Sequence, residues 1–139
     1  MNLLKVKGFK KIYALEVFEK EFRKLFKKNN DEYRQYLKRL RSKLKLLDKY
    51  GRVIVDQINT IESLKETELF AIRLIGKQNV RVIFAIVVSQ KIILLQSFEE
   101  GNKNNYNLAL QTAKERLKLI GEKHEEKDIS NKQQGNKSI

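Results

Sequence analysis

Arg73 and Arg81 stand inside two runs that are otherwise apolar, Leu69–Ile75 and Val80–Val88. A cation in such a run is costly unless a partner or a function compensates it. Guanidinium groups grip phosphate oxygens and stabilise the charge that grows on them during transfer. Side chains alternate faces along a strand, so Arg73 shares a face with Leu69, Ala71 and Ile75, and Arg81 with Ile83, Ala85 and Val87. An odd-length loop between the runs, for example Gly76–Gln78, sets the two arginines directly opposite each other on the face with the small residues. A two-residue loop would split them between faces. Opposed cations repel, so the pairing makes sense mainly around a bound anion. The alternative is that each arginine emerges at a sheet edge or pairs with a nearby carboxylate such as Glu68.

The elements that must position this pair follow from periodicity. Leu69–Ile75, Val80–Val88 and Lys91–Phe98 have the length and β-branched content of strands, with GKQN (76–79) and Ser89-Gln90 as turns, an antiparallel meander. Lys10–Phe18 alternates like a further strand. Glu19–Lys28 reads helical, with Phe18, Phe22, Leu25 and Phe26 at the 3.6-residue period. Asp31–Tyr50 is the clearest helix, with Asp31 as N-cap, no capping box, and an apolar stripe of Tyr33, Leu37, Leu40, Leu44 and Leu47. Gly51 is its natural C-terminal cap. Arg52–Glu66 reads as a connector, either a short strand or a helical turn. Asn105 or Asn107 caps a last helix whose stripe is Leu108, Ala109, Ala113, Leu117 and Ile120, ending at Gly121. The polar segment 122–139 is expected to be a disordered tail. The expected fold is an α+β single domain, residues 1–121. It combines a curved antiparallel sheet, made of the N-terminal strand and the meander, with two N-terminal helices and a C-terminal helix.

Thirty basic residues against seventeen acidic give a formal charge of +13, which predicts attraction to polyanions. Much of it falls on the central helix. Arg34, Lys38, Arg41, Lys45 and Lys49, together with Arg39 and Lys43, form a basic ridge able to track a phosphate backbone. It reads equally as a solvated face or a dock for an acidic partner. Cysteine is absent, which removes disulfides and cysteine-based metal sites and fits a reducing cytoplasm. No apolar run approaches the ~20 residues of a membrane span. There is no P-loop, GxGxxG, HExxH or nucleophile elbow. The sole histidine, His124, reads as a solvated surface residue. Glu99-Glu100 and Glu125-Glu126 are adjacent and should diverge, so no metal site is expected and no cofactor is implied. The residues leave open catalysis by arginine and lysine on bound nucleic acid, with the substrate's own 2′-hydroxyl as nucleophile. A general base and acid are still required.

The order strand, two helices, arginine-bearing meander, helix completes the pattern. LKETELFAIR (64–73), VRVIFAIV (80–87) and ILLQSFEEGNKNNYNLALQTAKERL (93–117) resemble the RelE/ParE toxin superfamily, nearest its HigB-type, phage-derived branch. The resemblance covers residues 10–120, with Ala109 or Ala113 and Arg116 fitting its last motif. It implies a RelE-like fold and the toxin of a type II toxin–antitoxin system. Such a toxin is a metal-independent, ribosome-dependent mRNA endonuclease (an mRNA interferase) that inhibits translation in the cytoplasm. By the resemblance, Arg73 and Arg81 are the phosphate-binding and catalytic cations; the basic ridge of Arg34, Lys38, Arg41, Lys45 and Lys49 is expected to contact ribosomal RNA. The implied partners are the ribosome, mRNA and a cognate antitoxin of helix-turn-helix type. One departure stands out. The family's lysine run after the phenylalanine is replaced by Glu99, Glu100 and Gly101, leaving Lys103 as the nearest lysine to assist. The alternatives are a ParE-like DNA gyrase inhibitor and a non-catalytic nucleic-acid- or partner-binding module.

Overall fold

The computed structural model describes residues 2–127, with side chains as far as Gly121. The fold is α+β: three helices around one open, six-stranded mixed sheet. The strands are β1 (Leu3–Lys5), β2 (Ile12–Leu15), β3 (Ile61–Ser63), β4 (Leu69–Leu74), β5 (Val80–Ile86) and β6 (Ile92–Glu99), in spatial order β1-β2-β6-β5-β4-β3. The helices are α1 (Phe18–Lys24), α2 (Asn30–Tyr50) and α3 (Lys103–Lys127).

The expected meander is present, β4, β5 and β6 pairing antiparallel in sequence. The sheet as a whole is not antiparallel. β2 runs parallel to β6, with Ile12 opposite Ile92 and Ala14 opposite Leu94. Parallel neighbours need a long crossover, and here everything from α1 to β5 lies between them. Two edge strands escaped the sequence reading. β1 hairpins onto β2 through a turn in which Gly8 has φ +93°. β3, inside the Arg52–Glu66 connector, pairs with β4 after a 3₁₀ turn over Gly51–Asp56, so the connector is both turn and strand.

Parity sorts the sheet's side chains into two cores. Ile12, Phe70, Ile72, Leu74, Val80, Val82, Phe84 and Leu94 pack against Phe18 and Phe22 of α1 and Tyr33, Tyr36, Leu40, Leu44 and Leu47 of α2. On the other face Leu69, Ala71, Ile83, Ala85, Ile93 and Leu95 meet Ala109, Ala113 and Ile120 of α3. Small residues on both sides of that second contact let the helix approach the sheet closely. The bulky face thus takes the longer helical layer, as alternation predicts.

Helix boundaries shift for local reasons. Asn29, not Asp31, caps α2: its Oδ1 accepts the Glu32 N–H at 3.0 Å while its Nδ2 donates to Glu32 Oε2 at 3.4 Å. This is a reciprocal pair of the capping-box kind, with the carboxylate at the third helical position. Gly51 ends α2 at φ +70°, its N–H returning to Leu47 O. Asn102 Oδ1 accepts the Asn105 N–H at the start of α3, so neither Asn105 nor Asn107 is the cap. α3 then passes through Gly121 to Lys127. Residues 128–139 of the expected tail, and the side chain of His124, lie outside the described residues.

Candidate functional site

The position of Arg73 and Arg81 begins with a loop. β4 and β5 are joined by five residues, 75–79, so Leu74 meets Val80 and Arg73 lies directly opposite Arg81. α2 holds that loop in place. The Tyr36 hydroxyl donates to Gln78 O and accepts the Gln78 N–H at 3.0 Å. Gln78 Nε2 donates to Glu32 Oε1 at 2.7 Å and to Leu25 O at 3.3 Å. Arg39 NH1 donates to Ile75 O at 3.3 Å. At the other flank, the Arg73 N–H donates to Thr60 O at 2.7 Å, tying β4 to the residue preceding β3.

Two carboxylates face the opposed cations. Glu100 Oε1 lies 3.5 Å from Arg73 NH2 and 2.7 Å from Arg81 Nε. Glu62 Oε1, on β3, lies 3.7 Å from Arg81 NH1. The expected carboxylate partner, Glu68, is exposed and Glu100 and Glu62 take its place. The 2.7 Å contact is electrostatic rather than a good hydrogen bond, because the Arg81 Nε–H is not aimed at the oxygen. Arg81 Nε, Arg73 Nε and Glu100 Oε2 are all buried without a hydrogen-bond partner. The arginine side chains nonetheless keep 35% (Arg73) and 23% (Arg81) of their surface exposed, so the cluster opens to solvent. Tyr106 of α3 completes it, its ring 5.7 Å from the Arg81 guanidinium and 6.1 Å from the Phe98 ring.

The remaining predicted residues lie on α3 and α2. Lys103 is the first residue of α3 and is exposed, and it makes no ion pair among the described residues. The basic ridge belongs to α2, which packs on the opposite face of the sheet from the arginine pair. Lys38 and Lys45 are exposed. Arg34 pairs loosely with Asp31 at 3.6 Å, both well exposed. Arg41 is partly committed, donating to Lys7 O at 3.0 Å and stacking 4.7 Å from the Phe9 ring centre. The Lys49 ammonium sits 5.2 Å from the Tyr50 ring centre. The α2 ridge and the arginine pair therefore lie on opposite faces of the sheet, with Arg73 directly opposite Arg81.

Arg116, which fitted the last motif of the resemblance, is a different kind of arginine. It is 9% exposed and forks onto Glu21 of α1, with NH1–Oε1 and NH2–Oε2 both at 2.8 Å. NH1 also donates to Leu95 O at 2.8 Å and to Gln96 Oε1. Leu95 follows the last β2–β6 pair, Ala14 opposite Leu94, and lies at the register shift between β5 and β6. Arg116 therefore fills the hydrogen-bonding need of a strand edge where β2 has ended, and fastens α3 to α1.

Glu62, Glu100 and Tyr106 are the site residues that sequence reasoning missed. The one signal was the Glu99-Glu100 pair directly after Phe98, where the resemblance leads to an expectation of lysines. Among the described residues no group of three or more His, Cys, Asp or Glu could hold a metal ion, and no helix is long and apolar enough to cross a membrane. No family model matches the chain, and no curated protein matches it.

Proposed function

We propose that the chain is the toxin of a type II toxin–antitoxin pair, a RelE-like cytoplasmic protein that cuts mRNA on the ribosome. The observation that carries this reading is Arg73 directly opposite Arg81, partly open to solvent. Like charges placed across a ladder are destabilising, so an anion-binding role explains their retention. In the proposed reaction the two guanidinium groups hold the non-bridging oxygens of the scissile phosphodiester. The adjacent ribose 2′-oxygen attacks phosphorus, its proton passes to a carboxylate, and the 5′-oxygen leaves with a proton. The products are a 2′,3′-cyclic phosphate and a 5′-hydroxyl. Glu62 is the proposed base and the Tyr106 phenol the proposed acid. The arginines stabilise the extra charge on the pentacoordinate phosphorus. The α2 ridge, on the far face, meets the phosphates of ribosomal RNA. A helix-turn-helix antitoxin would shield one or both basic surfaces.

A second reading is favoured by a specific observation. Glu100 and Glu62 together already balance the charge of the arginine pair from within, so the pair is then structural and the protein is a non-catalytic polyanion-binding module working through α2. Cell-free translation with purified protein separates the two. Mapping reporter mRNA 5′ ends with and without ribosomes should show cuts only when ribosomes are present. Intact mRNA under both conditions would remove the nuclease and leave the module.

A further inference from the structure

We infer that Glu100 is a displaceable internal anion. Its carboxylate occupies the place between Arg73 and Arg81 that a phosphate group takes, so the site alternates between a carboxylate-filled and a phosphate-filled state. This rests on the phosphate reading of the arginine pair and adds its regulation.

The ground is a comparison of two arginine–carboxylate contacts in the same molecule. Arg116 and Glu21 meet fork to fork at 2.8 Å on both arms, and NH1 is shared with Leu95 O and Gln96 Oε1. That is a fitted pair, satisfied on both sides. At the other site a single oxygen, Glu100 Oε1, serves both guanidinium groups. Its second oxygen and the Arg73 Nε are buried without a hydrogen-bond partner, and Arg81 Nε has only the poorly aligned 2.7 Å contact with Glu100 Oε1. Unmet buried polar groups carry a free-energy cost, so Glu100 is a poor occupant of a site with two cations. A phosphodiester brings two non-bridging oxygens on a tetrahedral centre, able to take one guanidinium each.

The chain permits the exchange. The Glu100 N–H is bonded to Asn79 O at 2.8 Å, which fixes the backbone and leaves the side chain free to turn. The Glu100 side chain is 20% exposed and that of its neighbour Arg73 35%, so the cluster borders solvent although Oε2 itself is buried. Gly101 follows in open space, with only Asn105 Nδ2 near its Cβ position, at 3.5 Å. Glu62 pairs with Arg81 at 3.7 Å and makes no ion pair with Arg73 among the described residues, so its contact does not depend on Glu100. The closed pair lowers apparent phosphate affinity by the fraction of molecules that are open. Binding is then restricted to substrates held there by other contacts, such as those of α2 or the ribosome.

The test is binding of a 2′-O-methyl RNA trinucleotide, which cannot be cleaved and is too short to span α2, to the full chain and its Glu100→Gln, Glu100→Asp, Arg73→Ala and Arg81→Ala variants. Glu100→Gln is expected to bind about tenfold more tightly, the effect of opening a site that is nine-tenths closed. Its melting temperature should fall and recover on adding inorganic phosphate. Glu100→Asp, which keeps the charge but withdraws it, should tighten binding by a smaller factor and serves if Glu100→Gln fails to fold. Unchanged or weaker binding in the Glu100 variants, with binding lost in Arg73→Ala, overturns the displaceable anion and leaves the phosphate site standing. Binding indifferent to both arginine substitutions overturns the phosphate site itself, and the inference with it.

Discussion

Replacing Arg116 with Met tests the claim that this arginine is a fastener rather than part of the site. Met keeps most of the apolar stem volume and removes the charge and every donor. The change strands Glu21, Leu95 O and Gln96, all now served by one guanidinium. Breaking a buried ion pair by removing one partner costs about 3–5 kcal/mol. Glu21 keeps 34% of its side chain exposed and can turn to water, which brings the expected loss to about 2–3 kcal/mol. At roughly 3–6 °C per kcal/mol for a domain of this size, the melting temperature falls by on the order of 10 °C. Glu21→Gln should cost less, about 1 kcal/mol, because an amide still accepts one of the two bonds. A double-mutant cycle should return a coupling energy of about 1–2 kcal/mol. Guanidinium chloride unfolding followed by far-ultraviolet circular dichroism measures all of these. An Arg116→Met variant within about 0.5 kcal/mol of the parent, the range of neutral surface changes, would refute the reasoning.

The α2 cap and ridge yield two further expectations. Asn29→Ala should destabilise the protein by about 1 kcal/mol, while Asp31→Ala leaves stability nearly unchanged, read from paired denaturation curves. Lys38→Ala and Lys45→Ala remove exposed cations that make no ion pair among the described residues. Each should leave stability intact and reduce the slope of log affinity against log salt for long RNA by about one unit, as measured by anisotropy titrations at several salt concentrations.

The arginine pairing was legible because it depends on local quantities. Strand parity and an odd loop suffice, and a five-residue loop gives the same answer as the three-residue example. The anion at that site was not legible. Glu100 lies 27 residues from Arg73, and the nearer Glu68 looked as suitable. The parallel pairing of β2 with β6 is equally hidden, since it is set by where the crossover returns the chain and leaves no mark on IYAL. β1 is three residues long, too short for alternation to show. Asn29 and Asp31 are both good capping residues by type, and only the Glu32 geometry selects Asn29. Gly121 looked like a stop, yet a glycine inside a helix costs only about 1 kcal/mol, and Ile120 anchors α3 just before it. Leu108 was placed in the α3 stripe but is 65% exposed. The buried line runs through Ala109, Ala113, Arg116 and Ile120. A charged residue occupies that line, which an apolar-period search discards.

The most direct test of the account is single-turnover cleavage of mRNA on programmed ribosomes by the parent chain, Arg73→Ala, Arg81→Ala and Lys38→Ala. Loss of a preorganised donor to the reacting oxygens costs about 10²–10³ in rate, so each arginine variant should fall by that factor at saturating enzyme. Lys38→Ala should keep the parental rate and need more protein to saturate. Parental rates in both arginine variants would contradict the central claim, because the opposed pair would then have no part in the chemistry.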